Sequence, residues 1–341
     1  MDVDKTQSKL GIIDKTFLST SIYLKNMRFS QSKIKSKKPL FIALLLVSTL
    51  TIGCSKTGTS ATENSRSVQI SNNETLSTPR DYFNRAEDKL EQGDLSGAVL
   101  DYTQAINLKP KFIQAYNSRG LAHRKARNYQ KAIADYNQAI KINPKYAEAL
   151  NNRGLAHYYL KDYQQAIADF NQALKINPRL ATAYSNRGLV YRNLKDYQKA
   201  INDYDQAIKL DPKYDTAYNN RGNAYNYLKD YQKAIVDFNQ AIMLNPRNTN
   251  AFNNRGFVYT ELKDYQKAVA DFSQVLEIDS QNSLAYYNRG YVYERLGNKT
   301  QAIADFKQAA TLYQQQGNLK DYQEALQRIE RLNSQELKVK S

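Results

Sequence analysis

Gly120, Gly154, Gly188, Gly222, Gly256 and Gly290 stand 34 residues apart, and Pro110, Pro144, Pro178, Pro212 and Pro246 keep the same interval. A fixed interval of that length means a repeat architecture, in which a unit too small to bury its own apolar face is stacked on copies of itself. Seven units can be laid out: 77–110, 111–144, 145–178, 179–212, 213–246, 247–280 and 281–314. A chain of 341 residues would ordinarily divide into two or three domains. Growth by addition makes one elongated body the better reading.

Each unit reads as two helices. Helix A is expected from the residue after the proline to the leucine of Leu-Lys-Asp, and helix B from the following tyrosine to the Ile or Leu before Asn-Pro or Asp-Pro. Asn-Pro stops helix B because the residue before proline avoids the α region, and the proline suits the start of the next helix A. The glycines and the alanine series Ala132, Ala166, Ala200, Ala234, Ala268 and Ala302 are expected to face each other, letting the helices cross closely. Large residues fill the rest: Tyr116, Leu150, Tyr184, Tyr218, Phe252 and Tyr286 on helix A, and Tyr136, Phe170, Tyr204, Phe238, Phe272 and Phe306 on helix B.

This pattern resembles the tetratricopeptide repeat (TPR), a helix-turn-helix unit. The resemblance spans residues 78–332 and implies an all-α, right-handed α-solenoid of seven TPR units. Unit one is the most divergent, with Ala86 in the glycine slot, as a terminal repeat should be. At the other end the register breaks, and Asp321 to Leu332 reads as a C-terminal capping helix, its Tyr322, Ala325, Leu326, Ile329 and Leu332 at helical spacing. Residues 333–341 are left as a tail.

Ahead of the repeats, Lys33–Lys38 (KIKSKK) precedes the apolar run Leu40–Ile52, then Gly53 and Cys54. A cationic segment, an apolar run too short to span a bilayer and a small residue make a secretory signal. Thr51-Ile52-Gly53-Cys54 is similar to the bacterial lipobox, although Thr51 stands where leucine is usual. The resemblance implies a signal peptide within residues 1–53, lipidation of Cys54 after cleavage and a bacterial membrane-anchored lipoprotein on the extracytoplasmic, periplasmic face. The other reading is an uncleaved short anchor with an unmodified cysteine. Counted from Met27 rather than Met1 the signal has 27 residues, an ordinary length, so Met27 is expected to be the start. Residues 54–77, rich in Ser, Thr and Asn, read as a disordered linker.

The net charge is +16. Residues 1–53 account for +6 of it, from nine Lys/Arg against three Asp. With only Cys54, no intrachain disulfide can form. Nothing supports catalysis, a cofactor or a metal: His123 and His157 share the slot filled elsewhere by Tyr191, Tyr225, Tyr259 and Tyr293, so they read as packing variants.

Two polar series repeat. Arg85, Arg119, Arg153, Arg187, Arg221, Arg255 and Arg289 lie beside the glycine, and Asp101, Asp135, Asp169, Asp203, Asp237, Asp271 and Asp305 lie on helix B. Constant spacing of opposite charges predicts a structural ladder of pairs. The second series is Asn152, Asn186, Asn220, Asn254 and Asn288, with Asn117, Asn151, Asn219 and Asn253 one residue earlier. In TPR proteins these positions face the concave groove, and the row looks like the asparagine ladder of O-linked N-acetylglucosamine transferase, which holds peptide backbone. A carboxamide donates and accepts at once, matching a peptide unit whatever its side chain. Leu155, Leu189, Asn223, Phe257 and Tyr291, then Tyr158, Tyr159, Arg192, Tyr227, Glu261 and Arg295, would complete the lining. A row of merely solvated asparagines copied by duplication is the alternative.

The expectation is therefore a non-enzymatic scaffold, tethered to a membrane through lipidated Cys54, that binds segments of protein partners in its concave groove and supports complex assembly. A basic helical-repeat binder of single-stranded nucleic acid is the second reading. A secretory signal, and lysines grouped at the units' edges rather than on helix A, weigh against nucleic acid. Self-association through the solenoid's ends or grooves stays open.

Overall fold

The structure, a computed structural model, describes residues 78–340, with side chains to residue 334. The expected signal peptide, Met27 start, Cys54 and linker lie outside the described residues. No helix within them is long and apolar enough to cross a membrane.

The described chain is a run of fifteen helices. The A helices are α1 (Pro79–Glu91), α3 (Ile113–Lys125), α5 (Ala147–Tyr159), α7 (Ala181–Asn193), α9 (Asp215–Tyr227), α11 (Thr249–Glu261) and α13 (Ser283–Arg295). The B helices are α2 (Leu95–Leu108), α4 (Tyr129–Ile142), α6 (Tyr163–Ile176), α8 (Tyr197–Leu210), α10 (Tyr231–Leu244), α12 (Tyr265–Ile278) and α14 (Lys299–Gln315). One more, α15 (Leu319–Lys340), closes the series. This is the all-α solenoid of seven helical hairpins and a capping helix, and the cap extends through what was expected to be a tail.

The turns show why the helices stop where they do. In unit four, Lys195 N donates to Arg192 O and Asp196 N to Tyr191 O, both at 2.9 Å, which satisfies the last carbonyls of α7 and forces Lys195 to φ 63°. Arg127, Lys161, Lys229 and Lys263 repeat this left-handed conformation, whereas the outer turns use Gly93, Gly297 and Gly317. The aspartate after the lysine then caps helix B: the Asp196 side chain accepts from Lys199 N, and the Asp162 and Asp230 side chains accept from Gln165 N and Lys233 N. The B-to-A turn differs from expectation. Pro144 does not open a helix; Asn143 Oδ1 accepts from Lys145 N at 3.0 Å, Tyr146 N donates to Asn143 O at 3.1 Å, and α5 begins only at Ala147. Asparagine and proline thus build a side-chain-closed turn.

Packing within each hairpin rests on the glycine, but its neighbour is not the alanine side chain. A Cβ on Gly120 would lie 2.7 Å from Cε1 of Tyr136, and one on Gly188 would lie 2.8 Å from Cε1 of Tyr204 and 3.1 Å from the backbone oxygen of Ala200. The ring of helix B lies flush on the helix A backbone, and Tyr136, Phe170, Tyr204, Phe238 and Phe306 are wholly buried as a result. The helix A aromatics are less enclosed: Tyr116, Tyr184, Tyr218 and Tyr286 are half-buried.

Every A helix also touches the next A helix along the stack, from α1 and α3 through to α11 and α13. That places the A helices on the shorter, inner side and makes their exposed face the concave wall. The cap sits at the end of this wall. Ala325, Ile329 and Leu332 of α15 are buried, and Arg328 donates to Glu294 at 3.0 Å while Tyr287 donates to Glu324 at 2.6 Å.

Clearance at the glycine varies along the stack. At Gly290 the nearest atoms to an added Cβ are 3.2 Å away, against 2.7 Å at Gly120. Gly120→Ala is expected to lose about 1–3 kcal/mol by overpacking, while Gly290→Ala stays within about 1 kcal/mol of wild type because helix propensity offsets the tighter contact. Urea denaturation of both variants checks the order, and equal losses would refute the ring-contact account.

Candidate functional site

The arginine series is a set of three-way clamps. Arg187 donates from Nε and Nη2 to both carboxylate oxygens of Asp203 at 2.9 and 2.6 Å, and from Nη1 to Asn171 Oδ1 of the preceding unit's B helix at 2.6 Å. Arg119, Arg153, Arg221, Arg255 and Arg289 do the same, each using Nη1 on the residue sixteen earlier: Thr103, Asn137, Asp205, Asn239 and Ser273. Except at Arg153, which has Leu150 in that place, each guanidinium also lies over the aromatic ring three residues before it, as Arg187 lies 5.6 Å from the Tyr184 centroid and Arg221 5.5 Å from that of Tyr218. The aspartates are buried. Burial outweighs the arginine pair at Asp203, Asp237 and Asp271 and holds those carboxyls above the usual carboxylate range. With all three guanidinium nitrogens donating within the protein itself, the series is structural.

The asparagines lie on the concave wall, and they bond to one another. Asn152 Nδ2 donates to Asn117 Oδ1, Asn186 Nδ2 to Asn151 Oδ1 and Asn254 Nδ2 to Asn219 Oδ1, at 3.0, 3.0 and 2.9 Å, each joining one A helix to the next. Asn151, Asn219, Asn220 and Asn253 are buried, while Asn152, Asn186, Asn254 and Asn288 are half-buried. The chain of amides fails at two steps. Asn220 has Ser185 where the pattern calls for an asparagine, and Asn288 does not reach Asn253. At those breaks Asn220 Oδ1 and Asn253 Oδ1 accept no hydrogen bond, and neither does Asn223 Oδ1 one turn on from Asn220. Three buried acceptors without donors thus cluster on α9 and α11, each carrying a desolvation penalty of about 1–3 kcal/mol.

The remaining expected lining is unequal. Leu189 and Arg192 are buried, and Tyr159 and Tyr227 stack on Tyr129 and Tyr197 at 5.2 and 5.0 Å, with rings 9° from parallel. Tyr291 is held between Arg295 and Arg328, each 5.1 Å from its centroid, so the cap occupies the wall over α13. The accessible wall therefore ends before Asn288. Sequence reading passed over Asn226, buried beside Asn219 and Asn223 on α9; its signal was an amide in a slot otherwise holding Arg124, Tyr158, Arg192, Thr260 and Glu294. The histidines face the clamps: His123 Nε2 lies 3.9 Å from Asp135, and His157 Nε2 lies 4.0 Å from Asp169. Burial holds the His123 pKa below its usual value.

A family model of the tetratricopeptide repeat matches residues 113–146, 147–180, 181–214, 216–248 and 283–316, and a second TPR repeat model matches 88–126 and 258–297. Among solved structures, a tetratricopeptide repeat protein from Parabacteroides merdae is 23% identical with a TM-score of 0.57, covering 73% of this chain and 98% of that one. Cut9–Hcn1 of the APC/C hetero-tetramer is 18% identical with a TM-score of 0.62, covering 73% of this chain and 48% of that one. PilF of Pseudomonas aeruginosa is 20% identical with a TM-score of 0.55, covering 62% and 95%. At these identities the likeness is one of fold. No curated protein matches the chain.

Removing an arginine leaves a buried carboxylate alone. Arg187→Ala is expected to lose about 3 kcal/mol near pH 7. Without its partner Asp203 rises further above its unfolded value of about 4, so the folded variant binds the extra proton. The deficit is then full above the raised pKa and shrinks as pH falls toward the unfolded one. Adding Asp203→Asn should recover part of the loss. A pH series of denaturation midpoints reads all three, and a loss that is constant with pH would overturn the assignment.

Proposed function

The chain belongs to the tetratricopeptide repeat family, and from that premise we propose that it is a membrane-tethered scaffold whose concave wall over α5 to α11 holds an extended segment of a partner protein. The family's general role is protein–protein interaction without catalysis. The observation that carries the finer reading is the cluster of unfilled acceptors on Asn220, Asn223 and Asn253. A partner's backbone N–H groups would satisfy them with modest side-chain rotation, recovering desolvation already incurred in the free protein. The mutually bonded amides beside them hold the wall rigid, which limits the entropy lost on binding.

We place the anchor at Cys54, on the resemblance of its surroundings to a lipobox, with residues 54–77 as the leash and the periplasmic face of a bacterial membrane as the location. Two acyl chains provide the paired signals that stable anchoring needs. The APC/C assembly to which Cut9 and Hcn1 belong makes complex assembly a reasonable role for this chain too. The nucleic-acid reading gains nothing, since the inner wall presents carboxamides and half-buried tyrosines rather than a basic track.

A photo-crosslinking residue at Leu155, on the inner wall, should capture a partner polypeptide in membranes, whereas one at Val236, which is 66% exposed on α10, should not. Asn220→Ala/Asn223→Leu, the latter restoring the residue found at 121, 155 and 189, should cut the Leu155 yield about tenfold with no fall in melting temperature. Equal capture from both faces would sink the groove.

Labelled fatty acid fed to cells should enter the wild-type protein and fall to background in Cys54→Ala; unchanged labelling would remove the anchor.

A further inference from the structure

The turns that join helix A to helix B carry a second surface. Their first residue is Leu160, Leu194, Leu228 and Leu262 in units three to six, with relative exposures of 38, 49, 49 and 41%. The next is Lys161, Lys195, Lys229 and Lys263, all exposed, all in the left-handed region at φ 61–64° and none in an ion pair. That conformation disfavours a side chain with a Cβ, and glycine or asparagine is its usual occupant. The turns of units one and seven obey, with Gly93 and Gly297, and that of unit two holds Arg127. Four successive inner turns instead keep a lysine against the backbone's preference, and a conformational outlier repeated with one chemistry points to function.

The local charge does not cancel. Asp196, Asp230 and Asp264 beside these lysines are each paired with the lysine three residues on, Lys199, Lys233 and Lys267, at 2.7, 2.7 and 2.6 Å, and Asp162 lies 3.9 Å from His157. In units four to six the left-handed lysine is therefore the surplus cation of the turn, while in unit three, with Gln165 in place of the pairing lysine, Lys161 is balanced by Asp162. Because the units repeat in register, exposed leucine and free ammonium alternate along one edge of the solenoid for roughly 30 Å, taking interhelical spacing of about 10 Å. Leucine that can enter an acyl boundary, with lysine reaching back to a headgroup, is the chemistry of an interfacial contact with anionic lipid. A nucleic acid would have no use for the leucines, and an apolar protein surface none for the lysines.

We propose that this turn edge rests on an anionic bilayer, a contact separate from the concave wall and from Cys54. It would lay the solenoid along the membrane and leave the inner wall facing sideways to a partner.

The test uses the full chain with Cys54→Ser and Leu194→Cys, labelled at that cysteine with an environment-sensitive fluorophore. Residues 1–53 carry +6 and also favour anionic vesicles, so the edge is isolated by the glycine variants below, which leave that segment untouched. A blue shift is expected with mixed phosphatidylcholine–phosphatidylglycerol vesicles, absent with phosphatidylcholine alone and weakened when salt is raised from about 50 to about 300 mM. The substitutions Lys161→Gly, Lys195→Gly, Lys229→Gly and Lys263→Gly install the residue the turn prefers, so the fold is retained. They should raise the lipid needed for half the shift about fivefold per lysine, some hundredfold or more for the four. An unchanged shift in the glycine variant, an equal shift on neutral vesicles, or a shift produced by polyglutamate or single-stranded DNA but not by anionic vesicles would each overturn the proposal.

Discussion

The stack depends on one side chain in each unit from the second onward reaching three helices at once. Arg221 grips Asp237 of its own B helix with two hydrogen bonds, reaches Asp205 on the previous B helix with a third nitrogen and covers Tyr218 on its own helix with its face. A lysine could not substitute, because only a planar fork offers three directed donors and a stacking face together. Through that geometry the arginine sets both the spacing within a hairpin and the step to the next. Burial of the aspartate makes the contact conditional: a mispositioned unit would leave a carboxylate in an apolar setting, so the same pair that adds little net stability penalises the wrong register heavily.

Much of this was legible in the sequence because a repeat displays its constraints several times over. The 34-residue interval gave the hairpins, and the tyrosine before each Gln-Lys or Gln-Gln marked the first residue of α4, α6, α8, α10 and α12. The pairing of the arginine and aspartate series followed from their constant separation. Less legible was the third contact of each arginine, because Thr103, Asn137, Asn171, Asp205, Asn239 and Ser273 share an ability to accept a hydrogen bond and no common residue name. The glycine's neighbour was misjudged for a related reason. Spacing shows that two positions face each other, but only the tilt of the helices reveals that a ring from the next turn fills the gap.

The proline shows the limit of a local rule. Proline often opens a helix, yet here Asn143 closes a side-chain turn onto Lys145 and delays α5 until Ala147. Likewise nothing in the sequence places Lys195 at φ 63°; that follows from the carbonyls of Tyr191 and Arg192 needing donors at the end of α7, with no room to continue into α8. The candidate site was legible as a row and illegible as a network. The asparagine periodicity put the amides on the inner wall, but which of them would bond to one another depended on whether each neighbour, like Ser185 before Asn220, had an amide to offer.

That distinction separates support from recognition in a repeat protein. A feature that recurs from unit to unit serves what the units share, and the clamps and ring contacts, repeated from unit two to unit seven, satisfy that condition. Binding an extended segment of irregular sequence needs the opposite, positions where one unit departs from its neighbours. Asn223 stands where other units carry Leu121, Leu155, Leu189 and Phe257, and Asn226 stands where they carry Tyr158, Arg192 and Thr260; both lie on α9 and both are buried. Four carboxamides on one central helix, two of them with unfilled acceptors, carry a desolvation cost that duplication alone would not select and that an incoming chain of peptide groups is suited to relieve. The uniform series therefore builds the wall, and the break in uniformity at α9 marks the place on it where a partner's backbone would be held.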